Sequence, residues 1–211
     1  MKLKRFAIVA LSLGLLIATS NALNSTISRQ KFSMSYPSVV CAPTQSGLSS
    51  QVSLGSRVTK INRVGSTSTK FFNSRALRLP VNKDPILVDA QGITPIIWQS
   101  RAGSWAGGTI CSNPSTSQWF VGGAADITAR GKLLLVNSGL SESVADVFVW
   151  SGTSPAVSKV ISVKANSFES VGLDSLAPGE SSIVIRVLTR AGRLNSFLVD
   201  ERGKGLRTLG G

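Results

Sequence analysis

The chain contains no histidine among its 211 residues, which removes Ser-His-Asp and Cys-His nucleophile systems together with every imidazole general base. What remains for covalent or acid–base chemistry is serine, lysine and ten carboxylates. Ser28-Arg29-Gln30-Lys31 sets a serine three residues before a lysine, as β-lactam-binding enzymes do, but that motif needs a helix and two partner motifs, and this segment reads as a polar stalk. Gly152-Thr153-Ser154-Pro155-Ala156 approaches a nucleophile elbow. It lacks the final glycine, the strand-to-helix setting and a base, and reads as a loop. Asp126, Asp174, Asp200 and Glu201 are the carboxylates that could form a glycosidase pair, in which the separation of the two groups sets the outcome. Each is better explained as a turn former or a partner for surplus arginine. Two cysteines without histidine fall short of the four N or S ligands of a structural zinc site. The residues therefore point to a non-enzyme, with no metal and no cofactor expected.

Non-covalent chemistry has more to work with. The formal charge is +13, and residues 29–110 carry ten basic side chains against Asp84 and Asp89. Arg57, Lys60, Arg63, Arg75 and Arg78 are candidates for holding an anionic polymer; the competing reading is a solvated face that keeps strands from pairing edge to edge. Interleaved aromatic rings, which single-stranded nucleic acid needs for stacking, are absent from this stretch apart from Phe71-Phe72, which argues against nucleic acid as a partner. Trp98, Trp105, Trp119 and Phe120 form an aromatic concentration flanked by Gly103, Gly107 and Gly108. These rings are expected to pack over a disulfide and fill the core, as a tryptophan does in immunoglobulin domains. The alternative, which adds Trp98 and Trp105 to the polymer-binding candidates, is a glycine-lined groove in which exposed tryptophans stack on sugar.

These groups must be positioned by a chain that begins as an export signal does. Lys2, Lys4 and Arg5 precede an apolar run from Phe6 to Ala18, followed by Ser20-Asn21-Ala22 as a first cleavage site and Ala18-Thr19-Ser20 as a second. That run is shorter than the roughly 20 residues of a bilayer-spanning helix, so cleavage is expected over retention as an anchor. The oxidising compartment beyond a membrane favours joining Cys41 to Cys111. Residues 1–22 thus read as signal peptide or signal anchor, with a signal helix, and 23–38 as a polar stalk. Residues 39–211 read as an all-β body, an antiparallel immunoglobulin-like or related sandwich, either one unit or two sub-sandwiches meeting near 106–118. Strands are expected near 52–61, 76–81, 86–90, 95–99, 118–121, 132–137, 144–150, 157–164, 168–173, 182–188 and 194–199. Ser138-Gly139 suggests a hairpin joining the runs 132–137 and 144–150, and Gly203, Gly205, Gly210 and Gly211 suggest a loose tail.

Cys41-Ala42-Pro43, Trp119-Phe120-Val121-Gly122-Gly123, the strand and turn Leu133 to Gly139, and Asp200-x-x-Gly203-x-Gly205 occur in that order. Over residues 39–206 this resembles a family of secreted actinobacterial proteins of unknown function with a β-rich extracytoplasmic body. The resemblance implies a cell-envelope protein, secreted or tethered to the outer face of the cytoplasmic membrane, and brings no catalytic residue with it. The expected role is structural or interactive. The alternatives are a binding module for anionic or glycan cell-wall polymer and an envelope glycan hydrolase using a carboxylate pair; a membrane surface or other envelope proteins are the remaining expected partners.

Overall fold

Turn residues separate short runs of Val, Ile and Leu along the chain, and each run becomes a strand. The computed structural model describes residues 38–55, 59–65, 72–74, 78–89, 94–101, 105–126, 129–152, 156–202 and 206–210, all within one compact unit, Tyr36–Gly211. The expected signal helix and stalk lie outside the described residues. With strands numbered in chain order, sheet I runs β1 (Val39–Cys41), β6 (Ile86–Val88), β3 (Thr59–Arg63), β4 (Phe72–Ser74). Sheet II runs β5 (Arg78–Val81), β2 (Ser49–Ser53), β7 (Ile96–Arg101), β8 (Trp105–Ile110). Sheet III runs β12 (Val157–Val163), β11 (Ser143–Ser151), β14 (Ile183–Ala191), β9 (Ser117–Val121). Sheet IV runs β13 (Ser167–Gly172), β10 (Ala129–Asn137), β15 (Leu194–Arg202), β16 (Leu206–Gly210). The pairings are antiparallel, and the fold is all-β apart from a single 3-10 turn at Leu173–Ser175 among the described residues.

Two cores hold these sheets. Ile61, Val88, Val52, Ile97 and both cysteines from sheets I and II share the first core with Leu134, Val136, Phe197 and Val199 of sheet IV. The alternate residues of the same two sheet IV strands, Leu133, Leu135, Leu194 and Leu198, enter the second core with Val147, Val149, Ile185 and Val187 of sheet III. Sheet IV is thus buried on both faces, which is why residues 133–136 of β10 are an unbroken apolar run where a one-sided strand would alternate. Sheets III and IV form a sandwich, and sheet IV serves both cores.

The bond between Cys41 and Cys111 joins the end of β1 to the residue after β8, with Cα atoms 4.3 Å apart. Around it, Val40 and Ser112 exchange backbone hydrogen bonds of 2.8 and 2.9 Å. The buried Gln99 amide donates to the Pro43 carbonyl at 3.0 Å and accepts from the Gln45 backbone N–H at 3.3 Å.

Two expectations are corrected, the hairpin and the loose tail. β10 and β11 are not a hairpin: they belong to sheets IV and III, and residues 138–142 arch between the layers. Both hydrogen-bonding edges of β10 are taken, by β13 and β15, and β11 pairs instead with β12 and β14. Within the sandwich, β10 pairs β13 and β11 pairs β14, as strands B/E and C/F of an immunoglobulin domain do. However, β9 and β15 sit in the opposite sheets from A and G, so the order is related to the immunoglobulin one without matching it. The expected loose tail contains β16, which pairs with β15 from Leu198↔Gly210 to Arg202↔Leu206.

Candidate functional site

Alternation along sheet III decides which side chains reach its outer face. Ala145, Val147 and Val149 of β11, Ile183, Ile185 and Val187 of β14, and Phe120 of β9 point into the second core. Their neighbours must point out: Asp146, Phe148 and Trp150 from β11, Val184, Arg186, Leu188 and Arg190 from β14, and Trp119 and Val121 from β9. Trp119 and Phe148 both stand opposite Arg186, from either side, while Val121 and Trp150 both stand opposite Val184.

The rings meet across β14. Trp119 and Trp150 stack with centroids 5.4 Å apart and planes 14° from parallel, and Phe148 continues the stack beyond Trp150 at 6.0 Å and 21°. The Arg186 guanidinium carbon lies 5.2 Å from the centroid of the Trp119 ring, within cation–π range. Its Nε donates to the Ser117 hydroxyl at 3.2 Å, which fixes the fork beside the ring. Further along the same face, Arg190 Nε donates to Asp146 Oδ2 at 2.5 Å. The Asp146 side chain is 8% exposed and that of Arg190 is 59% exposed, so the carboxylate is an anchor and the guanidinium remains presented to solvent.

This surface is open. Trp119 is 56% exposed, Val121 87% and Val160 of β12 55%. Large apolar side chains on one exposed sheet face mark a contact surface more often than a scattered residue does, and ordered rings with a fixed cation give that surface directional chemistry.

The expectation that Trp119 packs over the disulfide is overturned. Trp119 and Phe120 are adjacent in a strand and therefore face opposite ways; Phe120 fills the second core, whereas the disulfide lies in the first. Trp98 is 49% exposed on sheet II, opposite Gly108. A Cβ on Gly108 would come within 2.8 Å of the Trp98 ring, so glycine at that position is what lets the indole lie flat across the neighbouring strand. Trp105 stands in β8 opposite Arg101; its side chain lies outside the description, as do Arg57 and Arg75. Lys60 and Arg63 are exposed in β3 of sheet I, and their spacing of three sends them to opposite sides of the strand. Arg78 is exposed in β5 of sheet II. The described basic candidates are therefore not gathered on one strand face.

Of the carboxylates, Asp174 lies in the 3-10 turn and accepts the Ser175 backbone N–H at 3.0 Å, a turn-forming role. Asp200 is buried in β15 opposite Gly131 and Thr208, and Asp126 lies between β9 and β10. Glu201 belongs to β15 with its side chain outside the description. Among the described residues no three His, Cys, Asp or Glu side chains are grouped to hold a metal ion.

Phe148, Trp150 and Arg186 escaped the sequence reading. Asp146 was the available signal: on a strand it marks the outward set, and a spacing of two places Phe148 and Trp150 with it.

A family model matches residues 96–211, which include all of sheets III and IV. The chain belongs to the DUF5719 family, a family of unknown function. The aromatic face lies wholly inside the matched span, while sheet I and the first strands of sheet II precede it. A search of the curated proteins returns no match. Among solved structures, the crystal structure of Thermotoga maritima 1070 is similar at 16% identity and a TM-score of 0.40, over 46% of this chain and 89% of that one.

Proposed function

We propose that the protein is an exported cell-envelope β-domain that acts by contact, without covalent chemistry, and that it binds envelope polymer through the outer face of sheet III. The observation that carries this reading is the Trp119–Trp150–Phe148 stack with Arg186 held against its exposed end. Such a surface offers apolar ring area to a sugar and a fixed cation to an acidic group. Two features support export. The Lys2, Lys4, Arg5 and Phe6–Ala18 order is that of a secretory signal. Cys41 and Cys111 are bonded, as suits an oxidising compartment. The resemblance to secreted actinobacterial proteins belongs to the same reading.

The test is retention of the full chain on isolated cell-wall material, scored against variants. Trp119→Ala lowers retention several-fold, since Trp119 is the exposed ring of the stack and supplies its apolar area to a sugar. Replacing Lys60, Arg63 and Arg78 by serine removes only the diffuse, salt-sensitive part. Equal retention of wild type and Trp119→Ala would refute the aromatic face as the contact surface.

A further inference from the structure

At the far end of β14 a cleft of about 480 Å³ lies between the segment 113–116 and the turn 189–194. Arg190 and Arg193 both line this cleft, and among the described residues no carboxylate does. Its other polar walls come from Asn113, Ser115, Thr116 and Thr189. The frame is fixed by backbone bonds: Thr189 N–H donates to the Thr116 carbonyl at 2.9 Å and Ser115 N–H to the Leu194 carbonyl at 3.2 Å. The Thr189 hydroxyl donates to the Ser115 carbonyl at 3.1 Å. Gly192 turns the chain at φ +86°, and a Cβ there would come within 2.8 Å of Ser143 Cα, so the turn is held tightly against β11.

Arg190 connects the cleft to the aromatic face. It lies four residues beyond Arg186 on β14, at the bulge where the pairing with β11 steps from Thr189 to Ala191, and its contact with Asp146 keeps it on the outer side. Asp146 grips its Nε at 2.5 Å, and the four remaining N–H donors of a guanidinium are not consumed by that contact. A ligand lying along β14 would meet rings first and arginines second.

We propose that this cleft is an anion subsite, taking a carboxylate or phosphate group carried by the polymer that lies on sheet III. The proposal rests on the reading of sheet III as the contact face and narrows the ligand to an acidic polymer. Forked N–H donors match the paired oxygens of either anion. Asp146 holds Arg190 through Nε from the β11 side of β14 and does not itself line the cleft.

Calorimetric titration of the full chain with oligogalacturonate, cellohexaose and inorganic phosphate tests this. Arg193→Gln alone, and Arg190→Gln with Arg193→Gln, weaken oligogalacturonate binding, the pair by about tenfold, and leave cellohexaose binding unchanged. Trp119→Ala weakens both sugars. Arg193 has no part in the Asp146 contact, so its single variant keeps the test valid if loss of Arg190 disturbs folding. Binding of phosphate but not oligogalacturonate, lost in the same variants, supports the subsite and assigns the acid as phosphate. If the arginine variants lose acid binding while Trp119→Ala behaves as wild type, the cleft stands and the sheet III reading falls. Wild-type affinity for both acidic probes in Arg190→Gln with Arg193→Gln overturns the subsite, as does failure of the wild type to bind either of them.

Discussion

Asn137 shows how one side chain can decide the path of the chain. Its amide nitrogen donates to the carbonyls of Ser141, Val163 and Lys164 at 2.8, 3.0 and 3.0 Å, and its oxygen accepts the Gly139 N–H at 2.8 Å. The residue is fully buried and ties the arch between sheets IV and III to the end of β12. Asn137→Ala would strand several backbone groups away from water, each carrying an appreciable desolvation cost. The expected loss is about 2–3 kcal/mol of unfolding free energy, measured by urea denaturation. Asn137→Asp keeps the acceptor but removes the donors and adds a buried charge, so it should be at least as damaging. A change within about 0.5 kcal/mol for both variants, the range of ordinary surface substitutions, would show that the arch does not depend on this hub.

At the scale of strands, sequence pattern located β5–β7, β9 and β10–β15 because each presents an apolar run or alternation bounded by turn residues. Partners were harder to read. Ser138-Gly139 looks like a hairpin signal, yet whether a turn returns a strand to its own sheet or to the facing one depends on which pairing sites are already taken. That information lies in β13 and β15, distant in sequence. β1, β4, β8 and β16 were missed because each is short or glycine-rich and becomes a strand through its partner, and the strand expected near 52–61 is instead two, β2 and β3, in different sheets. The same limit hid the functional face: Trp119, Trp150 and Arg186 come from three strands separated by 31 and 36 positions, and only the register of β9–β14–β11 brings them together. β10 yields the prediction at this scale. Leu133 and Leu134 are adjacent and fully buried, but one enters the core with sheet III and the other the core with sheets I and II. Leu133→Ala and Leu134→Ala should each cost about 2–5 kcal/mol. If either is nearly neutral in denaturant titration, sheet IV is not buried on that side.

For the whole molecule, the shared sheet sets the unit of cooperativity. A core made only of sheets I and II would lack Leu134, Val136, Phe197 and Val199, and the sandwich cannot lose sheet IV without losing its own inner layer. Neither half can open while the other keeps its packing, so calorimetry should show one transition with equal calorimetric and van't Hoff enthalpies. The disulfide sharpens the test because it lies entirely in the first core. Closing a chain separation of 70 residues restricts the unfolded state by about 4 kcal/mol in the chain-entropy model. Reduction should lower the midpoint by on the order of 10 °C for a body of this size. With a shared sheet IV, the melting of sheet III, followed through the Trp119–Trp150 stack by near-ultraviolet circular dichroism, must move down by the same amount although the disulfide lies in the other core. Two transitions, with the Trp119 signal indifferent to reductant, would mean that the cores unfold separately and that sheet IV belongs to the sandwich alone.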